Sequence, residues 1–109
     1  MKCGEIVLIP FPFAELTHKK VRPAAVVCET KDVYKDLVLC AISSVVPSDL
    51  TENEILLKAN KANGLRKDSV LKIDRIVTAK NHDVIAKIGE LSNLDLESFK
   101  KIFKGLIDE

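Results

Sequence analysis

Residues 23–43 read PAAVVCETKDVYKDLVLCAIS, two apolar runs, Pro23 to Cys28 and Leu37 to Ser43, on either side of the mostly polar ETKDVYKD. Each run is too short for a typical helix, and both are bounded by turn-forming or charged residues, so both read as buried strands. The connection between them has no room for a helical crossover, which makes them antiparallel neighbours and argues against a doubly wound α/β sheet. Upstream, Glu5 to Ile9 (EIVLI) is a further strand, and Pro10 and Pro12 are expected to end its ladder because proline has no backbone donor. Downstream, VVPSDLTENE and NKANGLRKDS are turn-rich, and between them Ile55 to Leu57 is a short strand. Ser69 to Asp74 (SVLKID) alternates in part, as a strand with one wet side does. IVTAK and DVIAKI read equally as strand or short helical turn on either side of Asn81-His82-Asp83. After Ser92, the apolar positions Leu96, Phe99, Ile102, Phe103, Leu106 and Ile107 follow helical spacing, with Ser92 and Asp95 placed as a cap. The pattern predicts a mainly β fold, a small barrel closed by one C-terminal helix.

The totals narrow the function more than they name it. A chain of 109 residues is expected to form one domain, residues 1–109, around one core. With 17 Lys and Arg against 16 Asp and Glu the net charge is +1, so the chain is no general polyelectrolyte binder, and a nucleic-acid role needs a local basic patch. Cys3, Cys28 and Cys40 are an odd number without CxxC spacing; two lie in apolar runs as small buried hydrophobes, which suggests the reducing cytoplasm and no zinc. No stretch has the length of a membrane span, and the N-terminus lacks the apolar core of a secretory signal, so no membrane partner is expected.

Few residues point to chemistry. His18 and His82 stand in separate loops outside any HxxxH or HExxH spacing, no metal ligand set is predicted, and no phosphate-cradling glycine motif is present, so no cofactor is expected. What stands out is the loop from Ala14 to Arg22, where Lys19, Lys20 and Arg22 put three cations within four residues. Pro23 restricts Arg22 to an extended backbone, so its guanidinium starts from a fixed origin. A planar fork of that kind suits a phosphate, engaging two oxygens and meeting charge as it develops in phosphoryl transfer. The plainer alternative is an ion pair with Glu5, Glu15 or Glu29.

GEIVLIPFPF followed by KKVRPAAVV resembles the opening of the MazF/PemK toxins, which resume with Arg-Pro before a hydrophobic strand. LCAISS (39–44), NGLRKDSVLKIDRIVT (63–78) and IGELS (88–92) resemble later motifs of that family, in order and over nearly the whole chain. The resemblance implies an SH3-like β-barrel with a C-terminal helix, usually a homodimer, acting as the toxin of a type II toxin–antitoxin system. It also implies a metal-independent endoribonuclease that cleaves single-stranded RNA by attack of the 2′-hydroxyl, restrained by a cognate antitoxin. By position Arg22 matches the catalytic arginine, and Ser43 the hydroxyl residue after the third strand, with a core hydroxyl as its alternative. Lys72 and Asp74 occupy the places of a possible acid and base, although Lys72 replaces an arginine, and Asp74 could instead cap a strand or pair with Arg75. Arg75 and Val77 depart from the family pattern. Lys19, Lys20, His18, Phe13 and Ser44 are the candidate RNA-binding residues, with loop anchoring the alternative for Phe13 and a solvated loop side chain for His18. Two rivals stand beside the toxin reading: a silent SH3-like module that binds nucleic acid or peptide, and a toxin-like fold acting as a partner-bound regulator.

Overall fold

A computed structural model of the chain describes residues 1–15 and 18–108, with the side chains of residues 12–19 outside the description. Six strands, β1 (Glu5–Glu15), β2 (His18–Glu29), β3 (Leu37–Ser43), β4 (Glu54–Leu57), β5 (Ser69–Ala79) and β6 (Ala86–Glu90), precede one helix, α1 (Asn93–Gly105). All the pairings are antiparallel, in the order β4-β5-β3-β2-β1-β6. The sheet is a curled half-barrel with the helix against one face, the mainly β architecture expected of the sequence.

The pairing explains why β1 to β3 read as near-continuous apolar runs, because both faces are packed. Ile6, Ala25, Cys40, Ile42, Leu71 and Ile73 face the helix and meet Phe99. Val7, Ile9, Phe11, Ala24, Val26, Leu37 and Leu39 form a second cluster on the other face. The single expected core is therefore two, divided by the sheet itself. Cys40 is buried as expected, and burial pushes its thiol up to about 12, with Cys3 and Asp74 adding to the effect. Cys28 is exposed instead, at the register shift between Val26 and Cys28.

Two further expectations are corrected. β1 runs through Pro10 and Pro12 to Glu15, with Pro10 opposite Val21 and Phe11 opposite Lys20. Among the described residues β6 pairs with β1 only over Glu5–Leu8, so the rest of β1 has one partner, and such an edge tolerates proline. β2 likewise begins at His18, so Arg22 lies within a strand rather than a loop. IVTAK and DVIAKI, open between strand and helical turn in the sequence, both enter strands: IVTAK continues β5 and DVIAKI runs into β6, with the turn-like Asn81–Asp83 between them a short 3₁₀ helix. Ser92 caps α1 as predicted, its hydroxyl accepting from the Asp95 amide at 3.1 Å.

β5 carries the irregularity that bends the sheet. Cys40 pairs with Ile76 and Ala41 with Lys72, so Ile73, Asp74 and Arg75 bulge out of the β3 ladder. The bulge is pinned: the Cys40 thiol donates to the Ile73 carbonyl at 3.3 Å, and the Ile73 amide to the Asn53 carbonyl at 2.9 Å.

Candidate functional site

β2 and β3 pair from Glu29 and Leu37 as far as Ala24 and Ala41, where their ladder ends. A cleft of about 330 Å³ opens there, lined by Lys20, Val21, Arg22, Pro23, Ile42, Ser44 and Ser69. The sequence builds it directly. Pro23 cannot donate to a ladder, and Arg22 before it is held extended, so the chain keeps strand geometry while losing its bonds to β3.

Register orders the other candidates around this cleft. Ala24, Ala41 and Lys72 form a row across β2, β3 and β5. Arg22 lies two residues before Ala24 and Ser43 two after Ala41, so side-chain alternation puts both on the face of that row, one step toward the cleft. Arg22, Ser43 and Lys72 are all half-buried there. The Ser43 hydroxyl accepts from the Val45 amide at 3.1 Å, and the serine that lines the cleft is its neighbour, Ser44. Asp74 is exposed on the bulge and accepts from the Asn53 side-chain amide at 3.4 Å, and neither Asp74 nor Lys72 is among the residues that line the cleft.

Arg22 has no ion pair among the described residues. Two of its suggested partners are engaged elsewhere: Glu5 pairs with Lys87 at 2.6 Å and Glu29 with the N-terminal ammonium at 3.5 Å. The side chain of Glu15 lies outside the described residues, as do those of His18, Lys19 and Phe13. Lys20 is exposed at the cleft wall, and Phe11 is packed in the second cluster.

Sequence reasoning missed Ser69. It is 3% exposed, opens β5, donates its hydroxyl to the Lys67 carbonyl at 2.9 Å and lines the cleft. Val70 pairs with Ser43, so residue 69 stands level with residue 44, a placement that pairing alone reveals.

This geometry offers an arginine, a lysine and two hydroxyl residues at one open cleft, a set that can hold a phosphodiester by its non-bridging oxygens. The model of the PemK-like, MazF-like toxins of type II toxin–antitoxin systems matches residues 2–107. The chain belongs to that family. Solved structures of similar fold include the Mycobacterium tuberculosis toxin MazF-mt6, at 18% identity and a TM-score of 0.70 over 95% of this chain and 96% of that one. An endoribonuclease in complex with its cognate antitoxin from a mycobacterial species is 10% identical, with a TM-score of 0.73 over 97% and 93%. MazF from Deinococcus radiodurans is 17% identical, with a TM-score of 0.71 over 100% and 97%. No curated protein matches the sequence. The Arg-Pro step that marks the PemK/MazF pattern in the sequence is thus also the step at which this chain's cleft opens.

Proposed function

We propose that the chain is the toxin of a type II toxin–antitoxin pair, a metal-independent endoribonuclease that cuts single-stranded RNA at short specific sequences in the cytoplasm. The whole chain works as one domain, paired as a homodimer and silenced by a cognate antitoxin. The observation that carries the reading is Arg22, held extended by Pro23 at an open cleft and without a carboxylate partner among the described residues.

In this reading the RNA phosphodiester enters the cleft and Arg22 engages two of its oxygens through the guanidinium fork. Ser43 and Ser44 hold the scissile phosphate and a neighbouring hydroxyl, while Ser69 braces the floor. The 2′-hydroxyl loses its proton to one member of the Lys72 and Asp74 pair. Its oxygen bonds to phosphorus, charge builds on the equatorial oxygens against Arg22, and the bond to the 5′-oxygen breaks. That oxygen takes a proton from the other member of the pair, leaving a cyclic phosphate on one product and a 5′-hydroxyl on the other. Lys19 and Lys20 steer the strand by charge, and His18 and Phe13 contact its bases.

Incubating the purified protein with mixed-sequence RNA in EDTA tests this directly. Cleavage that leaves 5′-hydroxyl ends, and that disappears in Arg22→Ala while circular dichroism is unchanged, supports the toxin. Binding without cleavage across varied sequences would instead support the silent SH3-like module.

A further inference from the structure

Cys3 and Cys28 are distant in the chain and come together beside the last residues of β2. The N-terminal segment runs antiparallel to that end: the Gly4 amide donates to the Val26 carbonyl at 2.8 Å, and the N-terminal ammonium meets the Glu29 carboxylate at 3.5 Å. Residue 3 is thereby set against residues 27 and 28. The β2–β3 register skips Val27, so that Cys28 pairs with Val38. Leu37 and Leu39, on either side of Val38, belong to the second cluster, which turns Val38, and Cys28 with it, to the helix face. Cys3 lies on that face too, packed against the first cluster and lining a cleft with Val27, Phe99 and Lys100. Without the bulge, strand alternation would turn Cys28 to the opposite face.

We propose that Cys28 and Cys3 form a thiol–disulfide exchange site for a low-molecular-weight disulfide, with exposed Cys28 as the attacking thiol and Cys3 as the resolving one. Antiparallel neighbours stand about 4.5–5.5 Å apart at Cα, inside the ~4.4–6.8 Å that a disulfide spans. Burial raises the Cys3 thiol, Lys100 draws it back down and Cys28 raises it again, so the two sulfurs feel one another's charge. Access sets the order, because Cys28 is exposed whereas Cys3 is half-buried. With oxidised glutathione, the Cys28 thiolate bonds to one sulfur and expels a glutathione thiolate; the Cys3 thiolate then bonds to the Cys28 sulfur, and the second glutathione leaves. The two thiol protons pass to the two released glutathiones, so the protein loses two electrons and the glutathione disulfide gains them. The new bond staples the N-terminal segment to β2 and closes a loop that contains the whole of β1. Cys40 takes no part: it is buried, donates to the Ile73 carbonyl and is held protonated by a thiol pKa pushed up to about 12. Neither Cys3 nor Cys28 lines the RNA cleft, so the site stands whether or not the chain cuts RNA.

The test incubates the folded chain with oxidised glutathione, alkylates the remaining thiols with N-ethylmaleimide in urea, and maps the peptides by mass spectrometry without reduction. A Cys3–Cys28 link within one chain is expected, with both residues lost from the alkylated pool, Cys40 recovered as the alkylated thiol, and dithiothreitol restoring all three. Cys3→Ser should halt at the first step, so that Cys28 keeps its glutathione, an adduct that the unaltered chain does not accumulate. In urea throughout, where the N-terminal segment no longer lies on β2, the preference for Cys3 with Cys28 over links to Cys40 should vanish. An unreactive Cys28 in the folded chain overturns the proposal, as does a Cys28–glutathione adduct equally abundant with and without Cys3. So does the same pairing preference in urea, or a link between two chains, seen as a dimer on a non-reducing gel.

Discussion

Arg22 concentrates the proposed chemistry because its charge has no internal use among the described residues. Replacing it with alanine should lower kcat about 10²- to 10³-fold, the usual cost of removing one donor that meets transition-state charge. Arg22→Lys should recover only part of that loss, since an ammonium keeps the charge and loses the planar fork. Single-turnover cleavage of a defined RNA measures both, and equal rates in all three proteins would remove Arg22 from the reaction. The neighbouring hydroxyls divide differently. Ser44 lines the cleft, whereas the Ser43 hydroxyl already accepts from the Val45 amide and has its proton left to offer a phosphate. Ser44→Ala should therefore raise KM more than Ser43→Ala, and thermal melting should fall more for Ser43→Ala, which leaves that amide without its partner. The extended backbone of Arg22 was legible from the sequence because proline constrains its predecessor. Which serine reaches the cleft was not, because consecutive strand residues point to opposite faces and the end of the β2–β3 ladder sets which of them stays exposed.

Among the elements, β6 packs closely against the loop before β5. A Cβ at Gly89 would run into the Ala62 carbonyl oxygen and the Asn63 carbonyl carbon, and one at Gly64 into the carbonyl of Ile88. Both neighbours are backbone, which cannot swing aside. Gly89→Ala should cost about 1–3 kcal/mol or more by chemical denaturation, while Gly105→Ala, with open space around it, should be neutral or gain up to about 1 kcal/mol. Equal effects would show that the packing of the 60–65 loop on β6 matters little. Lys87 of β6 also clamps Glu5 of β1, and its hydrogen bond, with that of the Lys2 amide, holds the Glu5 carboxyl below its usual range. A depressed carboxylate stabilises the fold above its unfolded pKa of 4.5, and that stability is lost as pH falls through the folded value. The partner behaves conversely: Lys87 is raised, so its share is present below 10.5 and is lost at higher pH. Lys87→Met should therefore be less stable than the unaltered chain near neutrality, and urea unfolding should show the gap close as pH falls below 4.5 and through the lowered folded value of Glu5. The elements themselves were legible where one signal dominated. The bounds of β3 and the Ser92 cap match the reading, while β5 was cut short at Asp74 because a bulge depends on a partner strand and leaves no period in its own sequence.

For the molecule as a whole, near-neutral charge makes the proposed RNA affinity a local matter. Contact through Lys19, Lys20 and Arg22 predicts a slope of log affinity on log salt of about −2, from roughly 0.7 per neutralised phosphate on a single strand. Fluorescence anisotropy across a salt series reads it, and a much steeper slope would mean that the helix lysines also touch the strand. The fold class was legible because the connections are short and apolar runs alternate with turns. The two-sided core was not, since a run buried on both faces reads the same as one packed in a single interior. The prolines that β1 carries beyond Leu8 have one more effect. A bare strand flank invites a stranger's backbone to zip on and start a fibre, and a rim lacking amide donors at Pro10 and Pro12 offers a broken template. The residues that appear to interrupt the strand thus help keep crowded copies of the chain from recruiting one another into amyloid.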